Sequence, residues 1–598
     1  MSAPDFTLVF CPLWGAKAPW TAPAYLLEAV KGAGYRAQYL DYNIRLYWNS
    51  ATPVLWRLSQ QDFWKTADLE WFLDQIDLSE IAAPVVGFSL TETNIRFSVA
   101  LARRLRGHDP SKTILFGGHG VFFPEDAEER IPLDACDAIV KGEGEVTLLE
   151  ILGGGLHANP GTYSPVGGRW VFNGERRLIE DLDTLPWPRY EEVEWRHFPA
   201  REMSVMGSRG CINRCVFCDD IVRAGHRFRR RSADHIAEEM RFHRKVHDVR
   251  FTVFNDSIVN GDFRNLDALC DRLTRDGHDR PWVGNFAVRR NMPAELVRKV
   301  RRAGFTSAMI GLESGSSKVL SLMRKPFDAD DAAWFITTLH EAGIGVSLNM
   351  IVGFPGETEE DFQETLRFLT RLAPRINQLV SVCPFMLNRS HCSSHLADFG
   401  VTPGDSAEKG HMGSIDWTSI DGENTWEVRY DRYQRLVAHA LSLGMIGGAS
   451  SRADTGQPAR PIGVDEIERR RALFSSTVEA SDRFRPLYVW DAGRGGQGTR
   501  HLIEHRGRPV AGFIDEDLEL WHLIVDGLIV FPPSVLDGGD ISRRPFVVIG
   551  AEARPRIAAR LEGLGYREAA DYATALDGIP GLLPAEISAP GTANSPPI

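Results

Sequence analysis

Short apolar runs alternate with longer amphipathic stretches along most of this chain. In residues 1–160 the runs are Phe6–Phe10, Arg36–Leu40, Val85–Ser89, Thr113–Phe116 and Ala138–Val140, each of a length that suits a buried strand. Between the first two, Ala24–Ala33 reads as a helix stopped by Gly34. Strand and helix in alternation predict a parallel, doubly wound α/β sheet. Trp48–Leu78, rich in Trp and Leu, reads as a helical insertion in this block. Residues 161–199, rich in Gly, Pro and Trp, read as a linker.

The alternation resumes over 200–390. Strands are expected at Met203–Gly207, Val249–Phe254, Trp282–Val288, Ser307–Leu312, Val346–Val352 and Leu379–Pro384. Leu296–Arg302 is a helix ended by Gly304, and Phe362–Leu372 places Phe362, Leu366 and Leu369 on one helical face. Six such units predict a partial (β/α)6 barrel of the TIM type. Residues 391–480 are more helical and loop-rich, and are expected to cap the barrel over its substrate. Strand–helix alternation returns over 485–583, and the tail 584–598, rich in Pro, Ala and Ser, is expected to be disordered.

Composition narrows the function. The chain has 598 residues, 43% hydrophobic and 25% charged, which suits a globular protein and excludes a mostly disordered one. Its net charge of -12 argues against broad phosphate-backbone binding, so no nucleic-acid partner is expected. No apolar run reaches about 18 residues, so no membrane span is expected. Met1–Asp5 lacks the basic and apolar regions of a signal peptide. Eight cysteines do not make a disulfide scaffold; they read as thiols or metal ligands in a reducing cytoplasm.

Three of them form the sharpest signal, Cys211-Ile212-Asn213-Arg214-Cys215-Val216-Phe217-Cys218. Thiolates are soft, charged ligands for iron or zinc. Three leave one iron of a 4Fe-4S cluster open to a further ligand, whereas a structural zinc site would want a fourth protein ligand, and no Cys or His stands nearby at matching spacing. The loop follows a strand, where a barrel carries its active site. Cys11, Cys136, Cys270, Cys383 and Cys392 show no such spacing and read as inert thiols, with Cys383 and Cys392 worth watching. The basic run Arg227–Arg231 reads first as a solvated face, and second as a carboxylate or phosphate site.

Cysteines at C-x3-C-x-aromatic-C after a first barrel strand resemble the radical S-adenosylmethionine superfamily. The resemblance covers about 200–390. It implies that Cys211, Cys215 and Cys218 hold a 4Fe-4S cluster, that S-adenosylmethionine chelates the fourth iron, and that electron transfer from a donor such as flavodoxin or ferredoxin splits it to a 5′-deoxyadenosyl radical. Asn255 and Asp256 end the second strand, Glu313 and Ser314 the fourth, and Ile351 and Gly353 the fifth; these six are the expected cofactor contacts.

In the first block the strand-end loops carry Ser89, Thr91 and Asn94, then Gly117 and Gly118 ahead of His119, then Gly142, Glu143, Gly144 and Glu145. Glycine at such an edge admits a large planar group, and hydroxyls can bond peripheral amides. No G-x-G-x-x-G opens the first helix, which weakens a dinucleotide reading. The block resembles the Rossmann-like cobalamin-binding domain fused to many radical S-adenosylmethionine enzymes. The resemblance implies cobalamin held without the His of a D-x-H-x-x-G motif, which is absent. A domain that binds nothing is the alternative.

In the last block Val489–Gly498 reads as strand, Gly-rich turn and helix, and Phe513-Ile514-Asp515 ends a second strand, an approximate dinucleotide pattern. The stretch Ile524–Pro533 also resembles small Rossmann-like domains of sugar-nucleotide-modifying proteins. Binding, docking and plain packing remain open for it.

Together these resemblances imply an enzyme that methylates an unactivated carbon of a small molecule or natural-product intermediate, with a peptide as the other substrate class. A cobalamin-dependent rearrangement, cyclisation or oxidation without methyl transfer is the alternative, and a non-catalytic cobalamin or S-adenosylmethionine sensor a second. A tRNA methylthiotransferase fits less well, since neither a second N-terminal Cys triad nor an RNA-binding tail is evident.

Overall fold

The computed structural model describes residues 3–14, 18–49, 69–122, 127, 129–156, 159–198, 201–225, 227–404 and 414–445. Beyond these it describes 485, 487–490, 500, 503, 510–515, 524–525, 528–531, 533–536, 546–549, 554–564, 566–567 and 572–574. The chain divides into two compact units. One comprises Met1–Phe10, Lys17–Leu40 and Ser79–Asp454; the other comprises Cys11–Ala16, Asp41–Leu78 and Thr455–Ile598.

The first unit holds two α/β layers. Strands β1 (Phe6–Phe10), β2 (Ala37–Asp41), β3 (Val85–Ser89), β4 (Thr113–Gly117), β5 (Ala138–Val140), β6 (Thr162–Val166) and β7 (Arg169–Phe172) form one sheet in the order β2-β1-β3-β4-β5-β6-β7. β1, β3, β4 and β5 run parallel. Chain order reverses between β1 and β3, the kind of switch point where doubly wound sheets open a crevice. Helix Thr21–Gly32 packs its Leu27 and Val30 with Leu148 and Ile151 of helix Gly144–Leu152, against Phe6, Leu8 and Leu115 of the sheet.

β6 and β7 correct the reading of 161–199 as a linker. Both pair antiparallel, extending the sheet past β5. Gly167 and Gly168 have φ of 58° and 80°, the positive pair that a two-residue hairpin turn of the primed type needs. The strands are partly exposed and one contains Pro165, so a composition-based reading took the segment for a connector.

The second layer is built from β8 (Glu202–Val205), β11 (Phe251–Phe254), β12 (Trp282–Asn285), β13 (Phe305–Glu313), β14 (Gly345–Val352) and β15 (Gln378–Pro384), in that order across the sheet. Every adjacent pair is parallel. β8 and β15 form the two edges, so the barrel is open, as the six-strand reading expects. Between β8 and β11 lies a short antiparallel ribbon, β9 (Ser208–Arg209) with β10 (Arg229–Arg230). Helix starts are marked by side-chain caps: Ser232 accepts from the His235 amide, Asp262 from Arg264 and Asn265, and Thr358 forms a reciprocal box with Asp361. The core, centred on Trp282, Phe286, Phe305 and Ile310, lies between this sheet and its helices. A small hairpin, β16 (Val401–Pro403) with β17 (Trp417–Ser419), and helix Trp426–Ser442 follow β15.

The second unit carries a sheet of β18 (Leu487–Trp490), β19 (Gly512–Ile514), β20 (Ile524–Val525), β21 (Leu528–Phe531), β22 (Phe546–Ile549) and β23 (Tyr572–Thr574), ordered β20-β21-β19-β18-β22-β23. All pairs are parallel except β20 with β21. The Gly-rich turn 491–498 and the tail 584–598 lie outside the described residues.

Candidate active site

Loop 210–228 rises from the C-terminal end of β8 and is bracketed by the β9–β10 ribbon. The Gly207 amide donates to Asp256 Oδ2 at 2.9 Å, and the Ser208 hydroxyl donates to the other carboxylate oxygen. Asp256, fully buried, thus fixes the start of the loop, and burial pushes its carboxyl up to about 7. Sequence reasoning placed Asp256 against a cofactor; its carboxylate is instead committed to the backbone that presents the thiols. Its neighbour Asn255 is exposed at the end of β11.

Cys215 is buried, and Cys211 and Cys218 are partly exposed. The Cys218 amide bonds to the Cys215 carbonyl, 3.3 Å, and the Asn213 amide points at Cys211 Sγ, 3.4 Å. Burial raises the thiol pKa of Cys211 and Cys215. Two outer contacts clamp the loop: the Val216 amide donates to the Met323 carbonyl and the Cys392 amide to the Val216 carbonyl. Cys392, with Cys11, Cys136 and Cys270, is buried, whereas Cys383 is partly exposed. Among the described residues no three His, Cys, Asp or Glu groups surround one point as ligands of a single metal ion do. Three thiols on one loop would suit a 4Fe-4S cluster, which takes thiolate ligands and can leave one iron open.

Glu313 ends β13 beside this loop. The β13–β14 register slips between Gly311 and Glu313, and Glu313 has φ of 70°, a left-handed conformation that costs about 1–3 kcal/mol in a residue with a side chain. The irregularity turns the carboxylate to Lys325, whose Nζ lies 3.2 Å from Oε1 and 2.8 Å from the Gly311 carbonyl. Burial pulls the Lys325 ammonium down, but Glu313 and then Cys215 and Cys218 draw it up, and the net direction is up. Sequence reasoning missed Lys325, which sits in the turn after a short helix, away from any strand end.

The other expected contacts divide. Ser314 is buried with its hydroxyl 3.1 Å from that of Thr365, and it accepts from the Ser316 amide, so it braces the turn. Ile351 lies in β14, partly buried. The Gly353 amide donates to Glu357 Oε2 at 2.5 Å and its carbonyl accepts from Asn424, 3.1 Å. Arg429 lies directly behind Gly353, where a Cβ would overlap its side chain, and stacks 3.7 Å over the Trp417 ring. Helix Trp426–Ser442 and the β16–β17 hairpin therefore back the end of β14.

The first sheet presents its C-terminal edge to the same loop. Ser89 and Thr91 are buried; the Thr91 amide donates to Asn94 Oδ1, 2.8 Å, and Asn94 Nδ2 donates to the Ser89 carbonyl, 3.0 Å. Asn94 thus closes its own loop. Gly118 has φ of 112°, and a Cβ there would overlap the Leu90 carbonyl. Only glycine lets the ends of β3 and β4 approach this closely. At Gly142 a Cβ would meet nothing within 4 Å, and at Gly144 it would meet Leu26 at 3.2 Å. Glu143 and Glu145, expected at a cofactor, are engaged elsewhere. Glu143 lies 2.9 Å from Arg209 and 2.7 Å from Arg229, and it also accepts from the Ile179 amide. Arg209 reaches Glu145 at 2.5 Å.

The reading of Arg227–Arg231 as a solvated face holds for Arg227 and Arg230, which are exposed, and fails for the other two arginines. Arg229 and Arg231 are buried, Arg231 paired with buried Glu239, Arg230 with Asp262 at 2.6 Å and Arg227 with Glu180. From the helix just after Cys218, Arg223 donates to the His119 carbonyl at 2.6 Å, on the Gly117–Gly118 loop of the first sheet. Thiol loop and glycine edge are therefore neighbours within one unit.

Residues 205–369 match the family model for the radical SAM superfamily. This segment belongs to the radical S-adenosylmethionine superfamily. The chain is 24% identical over 310 residues to an uncharacterized methyltransferase of Pyrococcus horikoshii, covering 50% of this chain and 67% of that protein. It is 25% identical over 395 residues to cytidylyl-2-hydroxyethylphosphonate methyltransferase of Streptomyces wedmorensis, covering 57% of this chain and 71% of that one. Among solved structures, the radical SAM methyltransferase TsrM of Kitasatospora setae, with cobalamin and a 4Fe-4S cluster bound, superposes with a TM-score of 0.52. At 15% identity over 72% of this chain and 85% of that one, the likeness establishes the fold.

Proposed function

We propose that this chain is a cobalamin-dependent radical S-adenosylmethionine methyltransferase acting on an unactivated carbon of a small molecule. The observation that carries the reading is the Arg223–His119 hydrogen bond, which sets the glycine edge of the first sheet beside the thiol loop. Relatives named as methyltransferases support it.

In this reading Cys211, Cys215 and Cys218 hold a 4Fe-4S cluster, and Glu313 faces the amino or ribose groups of S-adenosylmethionine. The backbone at Gly117, Gly118 and Gly142, with Ser89 and Thr91, forms the seat for cobalamin. This edge fits a large planar ligand: its carboxylates are already paired, Gly142 leaves bare backbone, and Gly118 lets the β3 and β4 ends pack closely into one low rim. When bound, the two cofactors and the cluster supply the radical and the transferable methyl group. The protein's part is to orient and to exclude water. Asp256 holds the loop through Gly207 and Ser208. Arg429 and Trp417 close the back of the β14 end. The Arg209 and Arg229 pairs hold the first sheet in place over the site. Electrons come from a small donor protein such as a flavodoxin or ferredoxin, and the chain acts in the cytoplasm.

The test is to reconstitute the full chain anaerobically with iron, sulfide and hydroxocobalamin, then add a reductant, methyl-labelled S-adenosylmethionine and a cell extract. Label in a new small-molecule product, with 5′-deoxyadenosine released, is the expected result. 5′-Deoxyadenosine without label transfer would favour rearrangement or oxidation. Neither product would leave a sensor.

A further inference from the structure

The charge of Lys325 faces both the thiol loop and the strand-end carboxylate. Its side chain is 7% exposed. Nζ lies 3.2 Å from Glu313 Oε1 and 2.8 Å from the Gly311 carbonyl. Two rings flank it: Phe217, between Cys215 and Cys218, at 5.2 Å from the ring centroid, and Phe327 at 5.8 Å. The Phe217 contact places the ammonium over the loop itself, and the Met323 carbonyl holds the Val216 amide of that loop to the same turn. An ammonium seated between aromatic faces and a carboxylate, shielded from water, acts electrostatically over a longer range than an exposed one.

We propose that Lys325 is a positioning and charge-setting residue for the cluster: it aims Glu313 and sets the cluster's reduction potential, with Glu313 opposing it. The inference rests on the reading of Cys211, Cys215 and Cys218 as cluster ligands. One-electron reduction of a thiolate-bound 4Fe-4S cluster adds one negative charge to an already anionic group. A fixed cation nearby stabilises the reduced form more than the oxidised form and raises the potential; a fixed anion does the reverse. Lys325 and Glu313 are bonded to each other yet carry opposite charges, so removing one or the other has opposite consequences. Loss of packing alone would not reverse sign in this way.

The experiment is a potentiometric titration of the reconstituted full chain without S-adenosylmethionine, followed by the electron paramagnetic resonance of the reduced cluster. Wild type is compared with Lys325→Met, Lys325→Arg and Glu313→Gln at equal iron loading. Lys325→Met should titrate at a more negative potential and Glu313→Gln at a less negative one, while Lys325→Arg stays near wild type. Should Lys325→Met fail to load, the less negative potential of Glu313→Gln and the near-normal potential of Lys325→Arg carry the same test. Potentials that do not move, or that move in one direction in both neutralising variants, overturn the inference while leaving the cluster in place. A wild-type protein that takes up no cluster overturns the reading beneath it as well.

Discussion

At the C-terminal edge of the first sheet, Glu92, Glu143 and Glu145 are each held by arginine: Arg130 at 2.5 Å for the first, Arg209 for the other two, with Arg229 adding a second bond to Glu143. What that edge leaves open is backbone at Gly142, whereas at Gly118 the missing side chain makes room for Leu90. At the same edge of the barrel stand three thiols, Cys215 buried and Cys211 and Cys218 partly exposed, and a buried carboxylate, Glu313, held at φ 70° by a bulge and paired with Lys325. In the function we propose, one edge recognises by shape and the other by chemistry. Paired carboxylates cannot repel or attract a ligand strongly, so they suit a surface that must fit a large ring. Thiolates and an aimed carboxylate are what a metal cluster and a cationic ligand require.

The largest way to break this contrast is to remove the donors. Replacing Cys211, Cys215 and Cys218 by Ala should take bound iron from about four per chain to none and abolish 4Fe-4S absorption. Retained cluster in that variant would end the assignment. Next is the shape of the other edge. Gly118→Val forces a β-branched residue into φ 112° and drives its Cβ onto the Leu90 carbonyl. The strain is about 1–3 kcal/mol before any clash. Cobalamin retained after gel filtration should drop at least tenfold with iron content unchanged; normal retention would place the ligand elsewhere.

Glu313→Gln keeps shape and removes charge. A lost charge-assisted bond is worth about 1.5–3 kcal/mol, so S-adenosylmethionine affinity should weaken by about one to two orders of magnitude. Calorimetry on cluster-loaded protein measures it, and unchanged affinity would make Glu313 a partner of Lys325 alone. The smallest effect concerns pH. Asp256 has its carboxyl raised from 3.8 to about 7, so the folded state holds the proton more tightly than the unfolded chain. Stability from this group is complete below about 4 and is lost as pH rises through about 7. Glu357, also raised to about 7, contributes in the same sense. Between pH 5 and 8 the melting temperature should drop, by on the order of 2 °C from Asp256. Asp256→Asn should flatten that part of the profile; an unaltered slope would show that the carboxyl is ionised throughout.

Much of the fold was legible before any coordinates. The strands Phe6–Phe10, Val85–Ser89 and Ala138–Val140 lie where their apolar runs end, because a buried parallel strand must be apolar on both faces. Hairpin β6–β7 was not legible, since a strand pair at the margin of a sheet, partly open to water, needs no such run. The Cys triad was legible because a metal cluster demands fixed residue types at fixed spacing in one short loop. Glu313 could be named from its strand-end position, but not its partner.

By itself, then, the sequence determined the α/β layers, the thiol loop and the glycine edge, each a local property carried by residues close along the chain. Only the tertiary structure decided what the charged residues do. Arg209 and Arg229 meet Glu143 and Glu145 from more than 60 positions away, and Asp256 meets Gly207 from 49 away. A carboxylate at a strand end looks the same in sequence whether it awaits a ligand or is already neutralised. The difference lies in which distant cation folding brings within about 3 Å, and in the desolvation that makes such pairing obligatory for buried charge.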